Sequence, residues 1–369
     1  MSNIYGISHK GTFGGVMDLF DWKTTSINES ATIHEALTVL DQQAMQIVLM
    51  VSEDNRLLGT VTDGDIRRGL LRGETLDSPV DTVANQTPTV GYDDETEIVW
   101  QQHIKRKSLR HLPILNRRKQ LVGLYYHKTQ QTPRRKNPVV LMLGGLGMRL
   151  RPLTETVPKP MLPLGNQPIL ETIVKHIAEQ GFTEFYFCIN YLGDKIRSYF
   201  GDGSDWGVRI NYVEEPKPLG TAGALSLLPA SVRDADKPMV VMNGDLLTKI
   251  DFRSLLDFHQ SHGNCITTCV REYSHQVPYG VVELQESTIS QLVEKPTYRY
   301  FVNAGIYCLS PQAVDSVPAG QFYDMPELIK AQMAKGTKMG GFPLAEYWMD
   351  IGHIPDYEQA QADYEIFFK

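Results

Sequence analysis

The chain has 369 residues, 42% of them hydrophobic and 21% charged, with a formal net charge of -7. That length exceeds one ordinary compact domain and predicts two or three units. The acidic balance excludes a dedicated nucleic-acid binder, which needs a basic surface to neutralise phosphates, but it leaves room for a local basic pocket. The start of the chain carries no charged-then-apolar signal pattern, and no apolar run approaches the length of a bilayer span. Cys188, Cys265, Cys269 and Cys308 all fall in apolar, strand-like segments without a CxxC pair. They read as buried reduced thiols in a cytoplasmic protein with no membrane partner.

After an N-terminal extension (residues 1–14), two similar segments follow, 15–72 and 73–129. Each runs helix, apolar strand, polar turn, strand, and the matching glycines Gly59 and Gly123 are 64 positions apart. Such a repeat predicts two units packed face to face. The first copy contains Gly59-TVTDGDIRRGL-Leu70, and this region resembles a tandem CBS (cystathionine beta-synthase-type) pair. The resemblance implies an adenine or guanine nucleotide held by Thr62 and Asp65: a hydroxyl and helix N-terminal amides meet phosphate, and a carboxylate accepts from ribose. Asp63 and Asp65 equally suit capping of the following helix. In the second copy Tyr126 stands where a threonine is expected and no aspartate follows, so that site is degenerate. CBS pairs often dimerise, which implies a homo-oligomer.

Residues 130–138 combine two prolines and three basic residues without an apolar side chain, and 130–137 read as a linker. From 138 to 369, apolar runs such as PVVLML, EFYFCIN and PMVVMN alternate with helical stretches. That alternation predicts an α/β fold, a Rossmann-like, mainly parallel sheet covered on both faces, preceded by a smaller α+β domain. Ligands in such sheets sit beyond the carboxyl ends of the strands. The first run ends there in Leu143-GGLGMRLRPL-Leu153. This is neither a dinucleotide fingerprint, since Leu150 takes the place of the third glycine, nor a Walker A loop, since G-K-[ST] is absent. What remains is a glycine turn able to approach phosphate oxygens, with Arg149 beside it. In Val157-PKPML-Leu162, Lys159 lies between two prolines on a stiff backbone that aims its ammonium.

Together these stretches resemble the signature of the sugar-1-phosphate nucleotidyltransferases (GT-A-like), approximately L-A-G-G-x-G-T-R-L-x-P-L-T followed by P-K-P-M-L. Leu143 replaces the usual alanine and Met148 the usual threonine. The resemblance implies Arg149 and Lys159 as catalytic cations, and Leu143, Gly144, Gly145 and Gly147 as the nucleotide cradle. Asp245 in VVMNGDLL and Asp350 in WMDIG are implied as the ligands of Mg2+. On the sugar-phosphate side it implies Gly280, Glu294, Lys295 and Asn303. The implied reaction joins a sugar 1-phosphate to an NTP with release of pyrophosphate, which calls for positioning and charge neutralisation rather than a protein nucleophile.

Glu214-EPKPLGTAGAL-Leu225 is expected to border the base through Glu215, Gly220 and Thr221. Thymidylyltransferases of the family carry glutamine where Glu215 stands. Guanine presents two donors on its Watson–Crick edge and suits a carboxylate, so GTP is the favoured NTP. A CBS pair ahead of this catalytic unit resembles the glucosamine-1-phosphate guanylyltransferases of legionaminic acid pathways. Mannose 1-phosphate and heptose 1-phosphate remain open as substrates, as does thymidylyl or uridylyl transfer. A nucleotide-sensing regulatory protein with an inactive transferase domain is the rival from another class; the Arg149, Lys159, Asp245, Lys295 and Asp350 set weighs against it.

Overall fold

The computed structural model describes residues 19–42, 46–107, 109–126, 134–233 and 236–368. The extension 1–14 and linker residues 130–133 lie outside them. The chain divides into two compact units, Met1–Gln131 and Thr132–Lys369.

In the first unit, strands β1 (Ser26–Asn28), β2 (Ile47–Val51) and β3 (Leu57–Thr62) form one sheet, with helix α1 (Ile33–Gln42) between β1 and β2 and α2 (Asp63–Leu71) after β3. A second sheet of β4 (Gly91–Tyr92), β5 (His111–Leu115) and β6 (Leu121–Tyr126), with α3 (Glu97–Lys107) before β5, repeats that order. In both, the first pair is parallel and the second a hairpin. The hairpins align Met50 with Gly59 and Ile114 with Gly123, then shift register at the next residue. Asn55 and Lys119 take the matching left-handed turn positions (φ 60° and 62°). The copies share a core, in which Ile47 and Leu49 of the first pack with Leu115, Leu121 and Leu124 of the second.

The second unit begins with β7 (Val139–Met142), followed by a small hairpin of β8 (Pro163–Leu164) and β9 (Gln167–Pro168) leading into α4 (Ile169–Glu179). Then come β10 (Glu184–Ile189), α5 (Gly193–Phe200), β11 (Arg209–Glu214), the single turns α6 (Gly220–Gly223) and α7 (Ala230–Arg233), and β12 (Met239–Asn243). The chain continues through β13 (Leu246–Thr248), α8 (Phe252–His262), β14 (Ile266–Gln276), β15 (Val281–Gln285), β16 (Thr288–Val293) and β17 (Thr297–Leu309). It closes with α9 (Pro311–Asp315), α10 (Met325–Ala334), β18 (Met339–Leu344), β19 (Trp348–Asp350) and α11 (Ile354–Phe367).

The central sheet has the order β11-β10-β7-β12-β17-β14-β18. Four of its adjacent pairs are parallel, and β17 is antiparallel to both neighbours, giving the mainly parallel α/β sheet expected. Its central strands are apolar on both faces because both are covered. Val139, Leu141, Phe185, Phe187, Val240 and Met242 pack into a core shared with α4, α5 and α8. The alternate residues Val140, Tyr186, Cys188 and Val241 pack with α6, α9 and α10. Burying each large side chain contributes about 1.5–3 kcal/mol, which fixes this sheet as the platform for the loops at its carboxyl end. Cys188, Cys269 and Cys308 are buried, whereas Cys265 is only half-buried, a departure from the expectation for all four, because it lies in the loop just before β14. Among the described residues no helix is long and apolar enough to cross a membrane.

Candidate active site at the carboxyl end of the sheet

The glycine turn leaves β7 at its carboxyl end, where the Leu143 N–H donates to the Cys188 carbonyl at 2.8 Å. Gly147 takes φ 62°, a left-handed conformation that lets the chain enter the single 3-10 turn Met148–Leu150. The Thr154 hydroxyl locks it by donating to the Gly147 carbonyl at 2.7 Å. A cavity of about 220 Å³ opens here, lined by Leu143, Gly145, Gly147, Arg149, Lys159 and Asp245 among others. Met148 also lines it, so the residue replacing the family's hydroxyl faces the site; Arg151 is not among the lining residues.

Lys159 opens a second 3-10 turn, Lys159–Met161, and is buried. Its Nζ lies 2.5 Å from Asp245 Oδ2. Asp245 occupies the turn between β12 and β13, and its Oδ1 is buried with no hydrogen-bond partner. Asp350 ends β19, which pairs with β13 so that Asp350 stands opposite Leu246. The Ile351 N–H donates to the Asp245 carbonyl at 3.2 Å, stitching the two aspartate-bearing segments together. Although Asp350 as a residue is exposed, the atoms packed around its carboxyl raise its pKa, and the neighbouring Asp245 charge raises it further; Lys159 and Arg149 oppose both. Arg149 Nη1 approaches His353 Nε2 at 3.5 Å.

A buried carboxylate oxygen without a donor is costly, and an oxygen-seeking cation is the chemistry that would satisfy it. Among the described residues no cluster of three or more His, Cys, Asp or Glu side chains is assembled. The site offers two carboxylates rather than a cage, which fits magnesium, a cation that keeps waters and bridges to phosphate.

Glu215, expected to border the base, follows β11, and its N–H donates to the Ile189 carbonyl at 2.9 Å, holding it at the strand ends. Its Oε2 accepts the Leu219 N–H at 3.0 Å, closing the Pro216–Pro218 turn. Its Oε1 lies over Gly144, where an added Cβ would sit 2.6 Å away. Burial raises the Glu215 pKa, partly offset by the Leu219 N–H. Gly220 adopts φ 78°, and Thr221 is held by Asp324 through its N–H at 2.9 Å.

The residues expected on the sugar side divide into two groups. Gly280, Glu294 and Lys295 lie together where the long β14–β17 arm meets the β15–β16 hairpin: a Cβ at Gly280 would be 2.9 Å from Glu294 Oε2. The Lys295 N–H donates to the Tyr279 carbonyl at 3.3 Å. Asn303 lies further along β17, with Oδ1 accepting from the Gly305 N–H at 3.0 Å. Gly305 abuts Asn243 at the end of β12, and the Ala304 carbonyl accepts from Trp348 Nε1 at 2.9 Å, so the two residues after Asn303 border the aspartate-bearing segments. In the first unit, Thr62 and Asp65 meet at the start of α2 as a capping box, Oδ2 accepting the Thr62 N–H at 2.9 Å and its hydroxyl at 2.6 Å. Asp65 Oδ1 pairs with Arg68 at 2.5 Å. The capping alternative is thus built, and a nucleotide there would have to share these groups.

Three residues of this geometry escape sequence reasoning. Asn190 Nδ2 donates to the Glu215 carbonyl at 2.7 Å, Asp324 holds the Gly220–Thr221 turn, and His353 meets Arg149. Only Asn190 had a signal, a polar residue ending an apolar run at the carboxyl edge.

The fold and this site define a member of the nucleotidyl transferase family. The chain belongs to it: the family model matches residues 138–366, and a CBS domain model matches residues 16–72. A relative named probable mannose-1-phosphate guanylyltransferase 1 from Oryza sativa subsp. japonica is 35% identical, over 59% of this chain and 62% of its own length. UTP--glucose-1-phosphate uridylyltransferase from Synechocystis sp. is 31% identical, over 60% of this chain and 61% of its own. The chain thus spans less than two thirds of the length of the curated relatives it matches. Among solved structures, HddC from Yersinia pseudotuberculosis matches 62% of this chain and 99% of its own at 24% identity, with a TM-score of 0.48.

Proposed function

We propose that the second unit transfers a nucleotidyl group from an NTP, with GTP favoured, to a hexose 1-phosphate, giving an NDP-sugar and pyrophosphate. The observation that carries this is the Lys159–Asp245 pair at the floor of the glycine-turn cavity, with Asp245 Oδ1 left without a donor. A sugar-phosphate oxygen attacks the α-phosphorus, a new P–O bond forms, and the bond to the bridging α–β oxygen breaks with pyrophosphate leaving. Arg149 and Lys159 supply positive charge to the phosphates, and the glycine turn lets backbone N–H groups approach them. Asp245 and Asp350 would hold magnesium, which supplies further neutralisation of the phosphate charge. Gly280, Glu294, Lys295 and Asn303 are assigned to the sugar phosphate.

Glu215 supports GTP over UTP or dTTP because an ionised carboxylate accepts from both guanine donors. Its Oε2 already takes one N–H, so Oε1 is the more open oxygen. The names of the relatives also favour guanylyl transfer and bring mannose 1-phosphate forward beside glucosamine 1-phosphate. The first unit is proposed to sense an adenine or guanine nucleotide through Thr62 and Asp65.

Pyrophosphate release is to be measured with magnesium and each pairing of GTP, UTP, dTTP or ATP with mannose, glucosamine, glucose or heptose 1-phosphate. GTP with a hexose 1-phosphate is expected to dominate, and silence from every pair with folded protein sinks the enzyme reading. Glu215→Gln is expected to lower the GTP:UTP preference about tenfold, equivalent to one hydrogen bond to a charged group. Because the Glu215 pKa is raised, the wild-type preference falls as pH is lowered and the carboxylate takes a proton, while the Gln variant stays flat.

A further inference from the structure

We infer that Asp324 is a positioning residue for nucleobase selection, fixing the turn through which Glu215 faces the base. The inference rests on the reading of Glu215 as the base-facing group. Asp324 is distant in sequence from that turn and precedes α10, yet Oδ1 accepts both the Thr221 N–H at 2.9 Å and the Thr221 hydroxyl at 3.3 Å. The Thr221 hydroxyl oxygen in return accepts the Met325 N–H at 2.8 Å. On either side, the Tyr323 N–H donates to the Leu219 carbonyl at 2.8 Å, and the Tyr323 carbonyl accepts from Ala222 at 3.0 Å and Gly223 at 2.9 Å. The segment 219–223 is therefore zipped along its length to 323–325.

Leu219 is the link to the carboxylate. Its carbonyl is held by Tyr323, and its N–H donates to Glu215 Oε2 at 3.0 Å. A shift of the Gly220–Thr221 turn thus reaches Glu215 through one peptide. There is no slack in between: Gly220 is left-handed, and an added Cβ would fall 2.6 Å from Asp324 Oδ1. Positioning of this kind sets discrimination because a base edge is read only at hydrogen-bond distance, and small misplacements are costly.

Asp324 also begins α10, where Glu327 Oε2 accepts its N–H at 3.0 Å, so a variant must preserve the helix start. Asp324→Ser keeps a competent N-cap but shortens the side chain away from Thr221; Asp324→Asn keeps the reach and an accepting oxygen. The test measures equilibrium binding of magnesium–GTP and magnesium–UTP to the full chain, with melting temperature alongside. Asp324→Ser is expected to lower the GTP:UTP affinity ratio about tenfold at a melting temperature close to the parent's, and Asp324→Asn to restore it. An unchanged ratio in Asp324→Ser overturns the proposal, as does an equal loss for both nucleotides with a lowered melting temperature. If Glu215→Gln leaves the ratio intact while Asp324→Ser lowers it, the Glu215 reading fails, the route from Asp324 through Glu215 is overturned with it, and selection lies in the 219–223 turn itself. The reverse pattern keeps Glu215 and removes Asp324.

Discussion

On the proposed function, much of the site's chemistry would rest on two side chains, Lys159 and Asp245. Lys159 is buried, and its ammonium is held by one carboxylate oxygen while the other finds no donor. Replacing a cation aimed at developing charge costs about 10²–10³ in rate. Lys159→Met also strands Asp245 beside Asp350, and breaking a buried pair costs about 3–5 kcal/mol. The expected outcome is loss of pyrophosphate release together with a lowered melting temperature that magnesium partly restores. A variant that melts like the parent and turns over normally would remove Lys159 from the chemistry. This residue was legible in the sequence because two flanking prolines restrict its backbone. Its partner oxygen's isolation was not, since that depends on what the β12–β13 turn leaves around it.

At the scale of elements, the parallel strands were readable because both faces are buried, which makes Val139–Met142, Glu184–Ile189 and Met239–Asn243 apolar except for Glu184 and Asn243 at strand ends. The long arm of β14 and β17 was not. Its strands begin or end in the core and run out to solvent, so each changes from apolar to mixed along its length. One residue on that arm ties down the connection that leads to the second aspartate. Arg271 Nη1 donates to the carbonyls of Leu344 and Ala345 at 3.1 Å each and of Glu346 at 2.9 Å. It pins the connection between β18 and β19, the strand that delivers Asp350. Arg271→Leu leaves those carbonyls without their shared donor and is expected to cost roughly 2–5 kcal/mol, read by urea titration. Arg271→Lys should recover part of it. Equal stability of the Leu variant and the parent would show that the connection holds itself.

Across the whole molecule, the spacing of 64 residues seen between Gly59 and Gly123 runs through the hairpins, their register shifts and their left-handed turn residues. The glycine spacing was legible because the same backbone demand keeps Gly59 and Gly123; the turn positions were not, since they hold Asn55 and Lys119. What differs between the copies is chemistry: the first places Thr62 and Asp65 at a helix start, and the second has Tyr126 at the end of its strand. In the transferase unit, individual motifs were legible, but the ties between distant segments, such as 219–223 with 323–325, were not, because backbone pairing leaves little trace in side-chain identity. The Lys159–Asp245 pair has one further consequence, for kinetics. With Arg149 and Asp350 it makes a group of two cations and two anions, so the cavity has little net field to project, and the chain around it carries -7. On the proposed function, an incoming nucleotide would therefore not be drawn from a distance but captured on contact. Raising salt from about 50 to about 200 mM should leave the association rate flat or slightly faster, as screening relieves repulsion, whereas a basic phosphate-binding surface would slow.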